Sequence, residues 1–80
     1  MRLIFSYQSG FKTSTLHDAC DPAAVGSVTR YDSPLQYIAI DLYDTATDAH
    51  ADAVKAVAAK MGLVFLERIE ETRVKRIKLG

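Results

Sequence analysis

Leu35-Gln36-Tyr37-Ile38-Ala39-Ile40-Asp41-Leu42-Tyr43 is the strongest strand signal in the chain, and its reading decides the fold. Side chains alternate across a strand, so Ile38, Ile40 and Leu42 share one face while Tyr37, Ala39, Asp41 and Tyr43 share the other. The first set is uniformly apolar and belongs to a core. The second mixes aromatic, small and charged residues, as a partly solvated sheet face does.

Immediately upstream, Ser27 to Tyr31 has strand composition and Asp32-Ser33-Pro34 is turn chemistry, so the two runs predict a hairpin. Further back, Leu3-Ile4-Phe5-Ser6-Tyr7-Gln8 predicts a first strand with Leu3, Phe5 and Tyr7 on one face, ended by Ser9-Gly10. Phe11 to Cys20 is compatible with a returning strand or with a loop capping a short helix. Asp21-Pro22-Ala23-Ala24-Val25-Gly26 predicts one helical turn, with Asp as cap, Pro at the first position and Gly as terminator.

Downstream, a principal helix is expected from about Thr47 to Met61. Thr45 or Thr47 can cap it, Asp48 suits the positive end of the dipole, and Gly62 stops it. Ala46, Ala49, Ala53, Val57 and Met61 recur at spacings of three and four and predict the buried stripe. Leu63 follows the Gly as a hydrophobic contact. Leu63-Val64-Phe65-Leu66 is a continuous apolar run, the pattern of a strand buried on both faces. Beyond it, a bend near Glu70 to Thr72 and a last exposed strand are expected, with a C-terminal helix as the rival. The predicted class is α+β: a mainly antiparallel sheet of three to five strands on one principal helix. The order is compatible with a ferredoxin-like βαββαβ sheet whose first helix is stunted.

Length permits one domain, residues 1–80, with a small core, because a chain this short buries only about 60% of its unfolded surface. The single cysteine, Cys20, cannot close an internal disulfide and favours a reducing, cytoplasmic setting. Neither a signal-peptide h-region nor a membrane-length apolar run is present in the sequence. A formal net charge of zero weakens the case for a general nucleic-acid binder, which needs surplus Lys and Arg. The zero conceals an asymmetry. Residues 1–52 carry three basic and seven acidic groups, and residues 53–80 carry seven basic and three acidic. Helix-dipole complementarity and edge protection explain much of this; a docking surface on one half is the functional alternative.

No residue set has the composition of a catalytic site. Asp41, Asp44, Asp48, His50 and Asp52 are dense, but His50 points away from the face that Asp44, Asp48 and Asp52 share, so converging metal ligands are not expected. His17-Asp18-Ala19-Cys20 offers a base, a carboxylate and a thiol without an oxyanion loop, and a structural Cys20 is expected. The isolated glycines form no phosphate-binding fingerprint. Tyr7, Tyr37 and Tyr43 could expose aromatics on a sheet, as ferredoxin-like RNA-binding domains do. The strand lacks their leading basic residue and Gly, however, and Asp41 would repel phosphate.

The expectation is therefore a non-enzymatic protein-binding module without cofactor or metal, a regulator or inhibitor that covers a larger partner's surface. In size and lack of catalytic residues it is similar to small phage-encoded inhibitors of host defence complexes, such as anti-CRISPR proteins, although no residue pattern carries that likeness. The alternative is a nucleic-acid-binding or ligand-sensing domain of ferredoxin-like shape. The expected contact residues are Tyr37, Asp41, Tyr43, Asp44, Asp48 and Asp52, forming one negative patch with an aromatic edge, suited to a basic, nucleic-acid-binding surface on the partner. Arg73, Lys75, Arg76 and Lys78 form the rival patch.

Overall fold

A computed structural model describes residues 1–7 and 11–70 of the chain. The elements run β1 (Arg2–Ser6), α1 (Thr13–Ala19), β2 (Val25–Tyr31), β3 (Tyr37–Leu42), α2 (Asp48–Lys60) and β4 (Val64–Ile69). The strands form one sheet in the order β2-β3-β1-β4, with every neighbouring pair antiparallel. The described residues form a small α+β domain of four strands and two helices. The ferredoxin-like comparison rests on element order alone.

Both helices pack on the face presented by Leu3, Phe5 and Tyr7, as the alternation in β1 predicts. Ile38, Ile40 and Leu42 join them there, each fully buried, with Leu16 from α1 and Ala51, Val54 and Ala58 from α2. At about 25 cal/mol per Å2 of apolar area withdrawn from water, this cluster is the main source of stability.

Several boundaries differ from the sequence expectation, each for a local reason. Residues 13–19 resolve the ambiguity after Phe11 as a helix, anchored by the buried Leu16. The Asp21–Gly26 turn does not become a helix. Asp21 Oδ1 accepts from the Ala23 N–H at 2.9 Å and the Asp21 carbonyl from the Ala24 and Val25 N–H groups, but Val25 already belongs to β2. Gly26 is the extra residue of a bulge, because Val25 pairs with Leu42 and Ser27 with Asp41. β3 begins at Tyr37 and leaves Leu35 in the turn, 71% exposed.

The principal helix has the predicted cap and a rotated face. Thr47, not Thr45, caps it. The Thr47 Oγ1 accepts from the His50 N–H at 3.4 Å, and His50 Nδ1 accepts from the Thr47 N–H at 3.0 Å, a reciprocal capping box. At the other end Gly62, at φ +83°, places the Leu63 N–H on the Ala58 carbonyl at 3.0 Å and its own N–H on the Ala59 carbonyl at 3.1 Å. This is a Schellman arrangement, and it buries Leu63. Ala49 and Ala53, expected in the buried stripe, are exposed. Ala51, Val54 and Ala58 are buried instead, with Ala46, Val57 and Met61 packed partly buried at the rim. An alanine-rich helix offers two such stripes about one residue step apart, and the larger apolar patch made with Val54 against the sheet decides between them.

β4 departs most from expectation. It lies at the sheet edge, so Val64, Phe65 and Leu66 are 60%, 38% and 56% exposed rather than buried on both faces. The expected end of β1 at Gln8 to Gly10, the bend beyond Glu70, and the last strand or helix over 71–79 lie outside the described residues.

Replacing Val54 with Asp is expected to be severely destabilising, since an unpaired charge would enter the core. Ala53→Asp should change stability by less than about 0.5 kcal/mol, with Val57→Asp between the two. Urea denaturation of the three variants reports the phase of α2 directly. By the same measurement, Thr47→Ala should lose about 1 kcal/mol of cap. Gly62→Ala should lose about 1–2 kcal/mol, because φ is positive there while the space around Cα is open.

Candidate functional site

The face of the sheet opposite the helices carries Ser27, Thr29 and Tyr31 from β2, Tyr37, Ala39 and Asp41 from β3, and Arg2, Ile4 and Ser6 from β1. No helix of the described residues packs there. At one end of this face lies its most constrained group. The Asp41 carboxylate accepts from Arg2 Nε at 2.7 Å and Arg2 Nη2 at 3.1 Å, and from the Ser27 hydroxyl at 3.2 Å. The Asp41 side chain is only 7% exposed. The bidentate geometry holds the Arg2 guanidinium above its ordinary pKa, chiefly through these hydrogen bonds. Arg2 and Asp41 are thus paired with each other.

Tyr31 and Tyr37 face each other across the hairpin end and stack at 4.6 Å between centroids with 15° between planes. Beside Tyr37 a groove of about 530 Å3 is lined by Arg2, Ile4, Leu35, Tyr37, Leu66 and Glu67, with Gln36 and Ile69 completing it. A bulge in β4 shapes this groove. Ile4 pairs with Glu67 and Phe5 with Phe65, so Leu66 is the extra residue. The two consecutive side chains Leu66 and Glu67 therefore both reach the groove. On the helix face the same bulge lets Phe65 and Arg68 project together. Phe65 meets Phe5 edge-on at 5.5 Å and lies under Lys55 Nζ at 4.3 Å, while Arg68 reaches Asp48 at 2.8 Å.

The acidic set named from the sequence does not form one patch. Asp41 is buried on the open face with Tyr37, whereas Tyr43, Asp44 and Asp48 line a separate hollow with Met1, Arg68 and Glu70. Asp44 precedes α2 rather than belonging to it, and Asp48 is paired with Arg68, which also pairs with Glu70. Asp52 lies one turn further along α2 and is exposed. His50 is committed to the Thr47 cap. Cys20 is buried, which pushes its thiol pKa up, while His17 and Asp18 are exposed. The basic residues from Arg73 to Lys78 lie outside the described residues.

Tyr7, expected with the sheet aromatics, is in the core instead, and its hydroxyl donates to the Asp32 carboxylate with the Tyr31 carbonyl oxygen 3.4 Å away. The hydrogen bond to Asp32 raises the Tyr7 pKa, aided by burial and the Asp32 charge and opposed by Arg30. Arg30 lies 6.0 Å over the Tyr7 ring and donates to the Phe11 carbonyl at 3.2 Å, tying the hairpin turn to the start of α1.

No protein-family model matches the chain, and no curated protein or solved structure matches it. Sequence reasoning named Tyr37 and Asp41 but missed Arg2, Ile4, Leu35, Leu66 and Glu67. The one available signal is the apolar run Leu63 to Leu66, whose composition equally fits a strand buried on both faces.

Two outcomes test this geometry. Arg2→Met should cost about 3 kcal/mol by stranding a buried carboxylate, and combining it with Asp41→Leu should restore most of that loss; chemical denaturation of both singles and the double measures the coupling. The raised Tyr7 pKa makes its contribution complete below the ordinary tyrosine value of about 10 and progressively lost as pH rises through the higher folded value. Stability should accordingly fall above about pH 10, and fall less in Tyr7→Phe, when denaturation midpoints are compared across pH.

Proposed function

We propose that the chain is a non-enzymatic protein-binding module of the cytoplasm, a regulator or inhibitor that works by covering part of a larger protein with its open sheet face. The observation that carries this reading is the clustering of Leu35 and Leu66, 71% and 56% exposed, around a groove that also contains Ile4 and Tyr37. Apolar and aromatic side chains gathered around a concavity, with polar groups at the margin, are the material of a binding hot spot. The paired Arg2 and Asp41 give this face a polar end without net charge. A small inhibitor of a host defence complex is one setting for such a module.

The acidic residues play the secondary part in this reading. Asp44 and Asp52 are exposed near α2 and would steer a basic partner, since complementary charge chiefly accelerates association. Direct nucleic-acid binding is the competing reading. It is favoured by the Tyr31–Tyr37 pair and opposed by Glu67 in the groove, which would repel phosphate.

Affinity capture from host lysate, with and without nuclease, should retain a protein partner in both conditions. Leu35→Asp combined with Leu66→Asp should abolish capture while leaving the melting temperature within a few degrees, because both side chains are exposed. Capture lost on nuclease treatment would favour nucleic acid. Capture unchanged in the double variant would remove the open face as the interface.

A further inference from the structure

β4 is paired with β1 along one side only, and among the described residues no strand occupies its outer edge. Such an edge offers a row of backbone N–H and C=O groups, which only another polypeptide chain satisfies in register. Natural edge strands are commonly blunted by Lys or Pro. Here the first half of the edge carries Val64 and Leu66, 60% and 56% exposed.

Charge narrows the occupant. The nearby cations are already engaged: Arg2 by Asp41, Arg68 by Asp48 and Glu70, and Lys55 by the face of Phe65. Glu67, exposed and lining the groove beside Leu66, has no ion-pair or hydrogen-bond partner among the described residues. The edge therefore combines a backbone template, two apolar side chains and one uncompensated carboxylate. The Leu66 bulge breaks the regular repeat after Phe65, which suits a short, specific segment better than open-ended stacking of identical edges.

We propose that the outer edge of β4 receives an extended segment of the partner protein in which apolar residues alternate with Lys or Arg, one cation lying against Glu67. This rests on the protein-binding reading and names the chemistry of the partner. The segment adds a strand to the sheet, and its side chains reach Leu66 and the groove from the side.

The test uses the full chain and a fluorescein-labelled peptide of about eight residues in which Lys alternates with Val, together with its Glu-for-Lys counterpart, read by fluorescence anisotropy. The Lys peptide should bind, the Glu peptide should bind about three- to tenfold more weakly, and Glu67→Lys should reverse that preference. N-methylation of the peptide backbone on the side that pairs should abolish binding. Equal binding of the two peptides, indifference to Glu67→Lys, or tolerance of N-methylation would overturn the proposal. Absence of binding to the unaltered chain would overturn it as well; binding seen only in the Val74→Pro, Ile77→Pro variant would assign the edge to this chain's own residues 71–80, against a partner segment. Self-association that competes with the peptide and is lost in Leu66→Asp would assign it to a second copy, again against a partner segment. Lysate capture that still depends on Leu35 and Leu66 while the peptide fails would leave the protein-binding reading standing and remove only the strand addition.

Discussion

Asp41 sits on β3, the strand buried along both faces from Ile38 to Leu42, and its carboxylate is held by Arg2 from β1 and Ser27 from β2. An ionised carboxylate withdrawn from water costs several kcal/mol unless its lone pairs are met. Meeting them here requires three strands in one register, because a two-residue slip of either neighbour keeps Arg2 or Ser27 on the open face but carries it about 7 Å along the strand, out of reach of Asp41. The apolar cluster supplies most of the stability and resists a one-residue slip, which would turn its side chains to the open face, but a two-residue slip keeps them on the helix face. The Arg2–Asp41–Ser27 group makes a slipped sheet carry a stranded charge, and so discriminates among arrangements that the core would accept.

That constraint was only half legible in the sequence. Alternation identified Ile38, Ile40 and Leu42 as core and placed Asp41 opposite them, yet nothing near Asp41 in the chain announced Arg2, thirty-nine positions away. Local chemistry read well where it is local: the Thr47 cap, the Gly62 stop and the Leu63 contact all depend on residues within one or two turns. The phase of α2 did not read well, because an alanine-rich helix presents two competing stripes, and only the sheet beneath selects Val54 over Ala53. His50 illustrates a different failure. Its proximity to aspartates suggested chemistry to be weighed, while its spacing of three from Thr47 carried the structural answer.

Both helices of the described residues pack on one face of the sheet. The other face must protect its own centre, and Ala39 is fully buried there although no helix of the described residues lies over it. A small residue at the middle of the exposed face lets its larger neighbours close over the backbone, and the paired Arg2 and Asp41 do so without leaving net charge. The cost appears at the margins. Among the described residues, nothing covers Leu35, Val64 and Leu66, so the apolar surface of this face is concentrated beside β4 rather than spread across it.

The bulge at Leu66 links this distribution to the rest of the fold. Strict alternation through β4 would put Phe65 and Glu67 on one face and Leu66 and Arg68 on the other. Phe65 has to face Phe5 and Lys55, while Arg68 has to reach Asp48 at the start of α2, and those needs are three residues apart. One extra residue reconciles them. It also restores Glu67 and Ile69 to the face of Ile4 and Arg2, and leaves Leu66 projecting beside Glu67. The packing of α2 against β4 and the shape of the groove are therefore set by the same irregularity. A change that regularised β4 without shortening it would carry Glu67 under the helix and Arg68 to the groove face, away from Asp48, damaging stability and the binding face together.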